Sequence, residues 1–158
     1  MKDIIVRHYL FDNIHCEPTH QTGATLRKLC AQMAPKLAKL DIRIVLQEAA
    51  AENPAPGNIR LMNRVTFSCP DEDLPERDLD EILGLQVTYE PCRTCSDEAG
   101  FPVACRTVMV EEQGYQALPS GLIADAMLRF SFSVLSGGQE ACDPHVCGGH
   151  CEGCHGGR

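Results

Sequence analysis

Cys92-x-x-Cys95, with Cys105 ten residues further on, is the pattern in this sequence that most directly implies chemistry. Two thiolates separated by two residues can grip one tetrahedral ion from a single turn, and a third from a returning strand leaves one position open. Cys69, Cys16, His15 or a solvent molecule are the candidates for the fourth ligand. An open position suits a soft guest such as an arsenical or mercury as well as zinc. A Cys92–Cys95 redox disulfide and unpaired structural thiols are the competing readings of the same spacing.

Cys16, in His15-Cys16-Glu17-Pro18-Thr19, lies between a predicted strand and a predicted helix. The positive end of a helix dipole stabilises a thiolate, and His15 adds to that field. Cys16 is therefore the candidate nucleophile of a thiol reaction. The alternative is a half-buried cysteine acting as a small hydrophobe. Position 19 is Thr, so no internal Cys-x-x-Cys disulfide can form in this loop.

The third group is the C-terminal run, in which Cys142, His145, Cys147, His150, Cys151, Cys154 and His155 fall within 14 residues. Such a stretch cannot build a core, and its glycines let the backbone wrap an ion, so a metal-binding tail is expected. Its spacing fits no zinc or iron–sulfur pattern closely, and a low-complexity end with no ligand is the alternative. His8, inside the first predicted strand, and His20, near the helix start, read as solvated or satisfied core groups. Cys30 reads as packing. The carboxylates from Asp71 to Asp80 read as a solvated acidic loop, because they lack the glycine and terminal glutamate of a calcium loop.

Ten cysteines in 158 residues need an explanation other than stability, since a chain this long buries enough surface to fold without staples. The charged N-terminus, Met1-Lys2-Asp3-Ile4-Ile5-Val6-Arg7, lacks the apolar stretch of a signal peptide, so a reducing, cytoplasmic setting is expected. No run approaches the length of a bilayer span. A net charge of −8, no Trp and no basic stripe argue against nucleic acid and anionic membranes as partners.

These groups must be held by something. Ile4 to Phe11 reads as a buried strand, Thr25 to Leu40 as a helix broken or kinked at Pro35, and Ile42 to Leu46 as a second strand, a β-α-β unit with Cys16 on its carboxyl edge. Ala49 to Gly57 reads as a loop. Ile59–Leu61 and Val65–Phe67 read as paired antiparallel strands, Cys69 to Pro75 as an acidic loop, and Leu79–Leu83 as a short helix between Asp78 and Gly84. A cysteine-bearing loop over 91–105 follows, then a hairpin turning at Glu111–Gly114 and a helix from Leu122 to Phe132. Residues 1–135 form the expected domain, and 136–158 a flexible tail.

The segments Leu79-Asp80-Glu81-Ile82-Leu83-Gly84-Leu85, Pro91-Cys92-Arg93-Thr94-Cys95, Cys105-Arg106-Thr107-Val108 and Tyr115-Gln116-Ala117-Leu118-Pro119 resemble an uncharacterised prokaryotic family of thioredoxin-like proteins, a domain of unknown function. The resemblance covers residues 3 to 130. It implies an α/β fold, a thioredoxin-like β-α-β-β-β-α core with a C-terminal hairpin-plus-helix extension, in which Cys16 takes the place of the first cysteine of the redox loop. Thr19 stands where that loop has its second cysteine, and the cis-proline expected before the third strand falls near Pro56-Gly57-Asn58.

Three functions follow as expectations. The first is a soft-metal or metalloid binding protein, taking zinc or another soft ion on Cys92, Cys95 and Cys105 and using no organic cofactor. The second is a monothiol oxidoreductase in which Cys16 attacks a thiol or disulfide partner protein. The third is a structural, zinc-stabilised interaction module.

Overall fold

The computed structural model describes residues 1–51 and 54–137. The first strand, β1 (Lys2–Phe11), alternates in burial: Ile4, Val6 and His8 point into the core while Ile5, Arg7 and Tyr9 face the half-covered side. It runs parallel to β2 (Ile42–Ala51), from Lys2 opposite Ile42 to Phe11 opposite Ala51. The connection is α1 (Glu17–Ala38), and Asp41 turns the chain into β2 at a φ of 61°. Buried Thr19, Thr22, Gly23, Leu26, Leu29, Cys30 and Leu37 recur three and four apart, the inner stripe of an amphipathic helix.

Two expectations for this unit are corrected. The helix begins eight residues before Thr25, because Glu17 and Pro18 suit a first turn: the carboxylate meets the dipole, and proline's missing N–H has no partner to lose there. It also continues past Pro35 to Ala38 without breaking. Only one turn follows that proline, so little helix remains to be lost.

Ile59–Leu61 forms a 3-10 turn rather than a strand. The strands that complete the sheet are β3 (Val65–Cys69), antiparallel to β1, and β4 (Leu74–Asp78), antiparallel to β3. β4 occupies much of what reads as an acidic loop. Its outward residues are charged because they pair across the sheet: Glu76 takes hydrogen bonds from Arg7, Tyr9 and Thr66. The four-stranded order is β2-β1-β3-β4. No cis peptide bond occurs among the described residues.

α2 (Leu79–Leu83) ends at Gly84, whose φ of 65° suits glycine. Asp78 precedes the helix as expected but caps nothing; its carboxylate pairs with the Arg64 guanidinium. A second sheet, in the order β5-β6-β7, follows as β5 (Gln86–Pro91), β6 (Ala104–Val110) and β7 (Gln113–Tyr115). Between β5 and β6 lies α3 (Arg93–Ala99), where a loop is expected. The last helix, α4 (Ser120–Leu135), buries Ile123, Met127, Phe130 and Val134 against the first sheet, with the rings of Phe130 and Phe67 5.9 Å apart. The result is a mixed α/β fold of two sheets and four helices among the described residues, with α1 and α4 covering one face of the larger sheet.

Cys30 lies in this core, as does Cys69. Burial pushes the Cys30 thiol up to about 11. The unfolded chain loses that proton near ~8.5, so Cys30 contributes stability that is complete below about pH 8.5 and declines as pH rises towards its folded value. Each titrating thiol steepens the loss by ~1.4 kcal/mol per pH unit. Urea unfolding between neutral and alkaline pH should therefore show a shallower decline for Cys30→Ala than for the parent chain, by about one proton.

Candidate metal centre

β1 leaves the main core at Phe11 and enters a second, smaller one. Phe11, Ile14, Cys16, Ile59, Met62, Cys95, Val103 and Cys105 form a distinct buried cluster with Phe101 and Cys92 at its margin. Its centre is sulfur. The Sγ atoms of Cys16, Cys95 and Cys105 all lie within 4.8 Å of one another, and the three residues are 5, 2 and 6% exposed.

Each thiol arrives from a different element. Cys16 is the N-cap residue of α1, on the carboxyl edge of the first sheet. Cys95 sits in the first turn of α3. Cys105 lies on β6 opposite Glu90 of β5. Two residues hold the cysteine-bearing loop closed. Cys92 N–H extends the β5–β6 ladder to the Val103 carbonyl at 2.9 Å, and the Ser96 hydroxyl donates to the Cys92 carbonyl at 2.6 Å while accepting Val103 N–H at 2.8 Å. Glu98 of the same helix accepts the His15 backbone N–H at 2.6 Å and has its other carboxylate oxygen 3.5 Å from the ring's Nδ1, which fastens the Cys16 loop to α3.

The two sheets are joined a second time near the same place. His8 donates from Nε2 to Asn63 Oδ1 at 3.0 Å, and the amide on the other side of Asn63 donates to the Gln116 carbonyl at 2.6 Å. That second bond fixes which way the amide points, so Nε2 carries the His8 proton. Burial lowers the His8 pKa and keeps the ring neutral. Leu118 N–H reaches Thr22 Oγ1 at 3.1 Å. A cavity of about 210 Å³ lies beside this joint, lined by His8, His15, Thr19, His20, Arg27 and Glu48 among others.

Cys92 completes the sulfur group from the rim. It is half-buried, caps α3, and takes Cys95 N–H on its Sγ at 3.4 Å. Burial alone raises a thiol pKa, but the N–H groups of Cys95 and Thr94 and the thiols of Cys95 and Cys105 all donate towards this sulfur and hold it below the ordinary value. The reverse applies to its neighbours. Burial first, then the hydrogen bond to Cys92, push Cys95 far up and Cys105 up to about 12. One sulfur is thus favoured as thiolate while two protonated sulfurs donate to it.

The structure places the expected residues unevenly. Of the four candidates for a fourth ligand, Cys16 joins Cys95 and Cys105, whereas Cys69 is in the main core and His15 turns its ring to Glu98. All six cysteines among the described residues are free thiols. Cys142, His145, Cys147, His150, Cys151, Cys154 and His155 lie outside the described residues. The sequence pointed neither to Ser96, Glu98 nor Asn63: a serine, a glutamate and an asparagine in polar surroundings carry no spacing that separates them from solvated residues. No helix among the described residues is long and apolar enough to cross a membrane.

A mixed α/β domain that gathers cysteines from two sheets around one buried point is the class these features define. The chain belongs to the family described as Domain of unknown function (DUF2703), whose model matches residues 3–127. That span includes Cys16, Cys92, Cys95 and Cys105 and leaves out the cysteines beyond residue 137. No curated protein and no solved structure matches it.

Proposed function

We propose that the protein binds a soft metal or metalloid ion on a thioredoxin-like scaffold, through the thiolates of Cys16, Cys95 and Cys105 with Cys92 at the rim. The observation that carries this reading is the meeting of three sulfurs, 79 and 89 residues apart in sequence from Cys16, within 4.8 Å of one another. Soft thiolates select soft ions, and gathering them in a dry cluster serves no packing need that alanine or valine would not meet. The scaffold is supported by the sheet order β2-β1-β3-β4 with β1 and β2 parallel and β3 reversed, and by Cys16 following β1 at the start of α1. In the cytoplasm the partner is the ion itself, and the cysteine- and histidine-rich run from Cys142 to His155 serves delivery or further capacity.

The test is elemental analysis of the full chain purified under reducing conditions without added metal. About one equivalent of a thiophilic element, lost in Cys16→Ser, supports the reading. No retained element, together with no uptake on titration, defeats it.

A thiol oxidoreductase is the second reading, favoured by the lowered pKa and rim position of Cys92. These features move the nucleophile from Cys16 to Cys92, with Cys95 or Cys105 resolving the mixed disulfide. Alkylation followed against pH should show one thiol reacting below the ordinary ~8.5. That phase should vanish in Cys92→Ser and persist in Cys16→Ser; persistence in Cys92→Ser would remove this reading.

A further inference from the structure

We propose that the ion taken by this cluster is a trivalent thiophilic metalloid, which enters as its neutral hydroxide and is held by Cys16, Cys95 and Cys105 alone, with Cys92 outside the coordination shell. The inference rests on the metal-binding reading above and names its guest.

Count and charge carry it. Three sulfurs form the mutually close group, and three is the number of bonds a trivalent metalloid makes to thiolates, its lone pair occupying the remaining direction. Three thiolates on a trivalent centre sum to zero. A divalent ion on the same three leaves −1, and on four leaves −2. The surroundings make that difference count, because the sulfurs lie among Phe11, Ile14, Ile59, Met62 and Val103. An uncompensated charge buried among such groups is strongly disfavoured.

Two polar groups beside this cluster are engaged elsewhere. Arg106 lines a narrow crevice with Cys16 and Cys105, but its guanidinium is held by Asp80 and by the Tyr89 hydroxyl. His15 pairs with Glu98. Cys92 sulfur takes Cys95 N–H at 3.4 Å, a donor that remains when the three thiols give up their protons to the exchange.

The exchange balances without a redox partner. M(OH)3 and three thiols give M(SR)3 and three waters: three M–O and three S–H bonds break, three M–S and three O–H bonds form. No electron is transferred and no net proton is released. A divalent ion taken by three thiols would instead release three protons.

The test uses the reduced, metal-free full chain carrying serine at Cys142, Cys147, Cys151 and Cys154, so that uptake reports on the described cysteines. Arsenite and zinc chloride are the probes. We expect one equivalent of arsenite with three As–S bonds and no As–O bond by X-ray absorption, and retention against equimolar zinc. Cys92→Ser should keep this stoichiometry with affinity within about threefold, while Cys16→Ser, Cys95→Ser and Cys105→Ser each lose about a hundredfold or more. Zinc held by four sulfurs and dependent on Cys92, or arsenite bound by only two, would overturn the inference and leave the metal-binding reading standing. Uptake of neither probe would overturn both.

Discussion

Cys105→Ser lowers affinity for a thiophilic ion by about a hundredfold or more and leaves the fold intact. Serine is nearly the same size and keeps the strand position opposite Glu90, so the β5–β6 ladder is undisturbed. What is lost is one of three soft ligands, and a hydroxyl does not replace it for a soft ion. Cys16→Ser should cost about as much although it comes from the N-cap of α1, 89 residues away in sequence. The double variant should cost far less than the sum, because after the first loss there is no three-coordinate site left to damage. Isothermal titration of the four proteins, with unfolding curves as the control for folding, reads out both points. Additive losses would mean that Cys16 and Cys105 serve separate sites.

Phe67→Ala should have the largest effect on stability, about 3–5 kcal/mol, because it removes a fully buried ring from the centre of β3 and leaves Phe130 facing a cavity. β3 bridges β1 and β4, and its loss of packing loosens the sheet whose carboxyl edge presents Cys16. Native proteins have only ~5–15 kcal/mol in hand. Chemical denaturation should show the midpoint falling sharply, with ion affinity falling only as the folded fraction falls. Normal stability in Phe67→Ala would mean that α4 does not pack on this sheet as described.

Much of the frame was legible because periodicity reports burial. The apolar run from Ile4 to Phe11 and the stripe from Leu26 to Leu37 announced a β-α-β unit, and its parallel pairing followed from the helical crossover. β4 was not legible. Leu74-Pro75-Glu76-Arg77-Asp78 reads as an acidic loop, and only the cross-strand partners of Glu76 and Asp78 explain why so polar a segment is a strand. Tertiary pairing decided that element, as it decided that Ile59–Leu61 turns instead of extending.

The site divides in the same way. Cys92, Cys95 and Cys105 stood out by spacing, since a Cys-x-x-Cys turn with a returning cysteine is a local signal. The choice of Cys16 over Cys69 was not local. Both are cysteines at or just beyond a strand end and followed within two residues by proline, and which one meets Cys95 depends on how the second sheet docks, through Asn63, Thr22 and the His15–Glu98 contact.

The most direct measurement is cysteine-resolved alkylation of the reduced full chain carrying serine at Cys142, Cys147, Cys151 and Cys154, with and without one equivalent of arsenite, read by mass spectrometry. A single guest bridging the sheets should shield Cys16, Cys95 and Cys105 together and in equal proportion, while Cys92 keeps reacting. Cys16 modified at the same rate in both samples would contradict the account, because the sulfurs would then not share one ion.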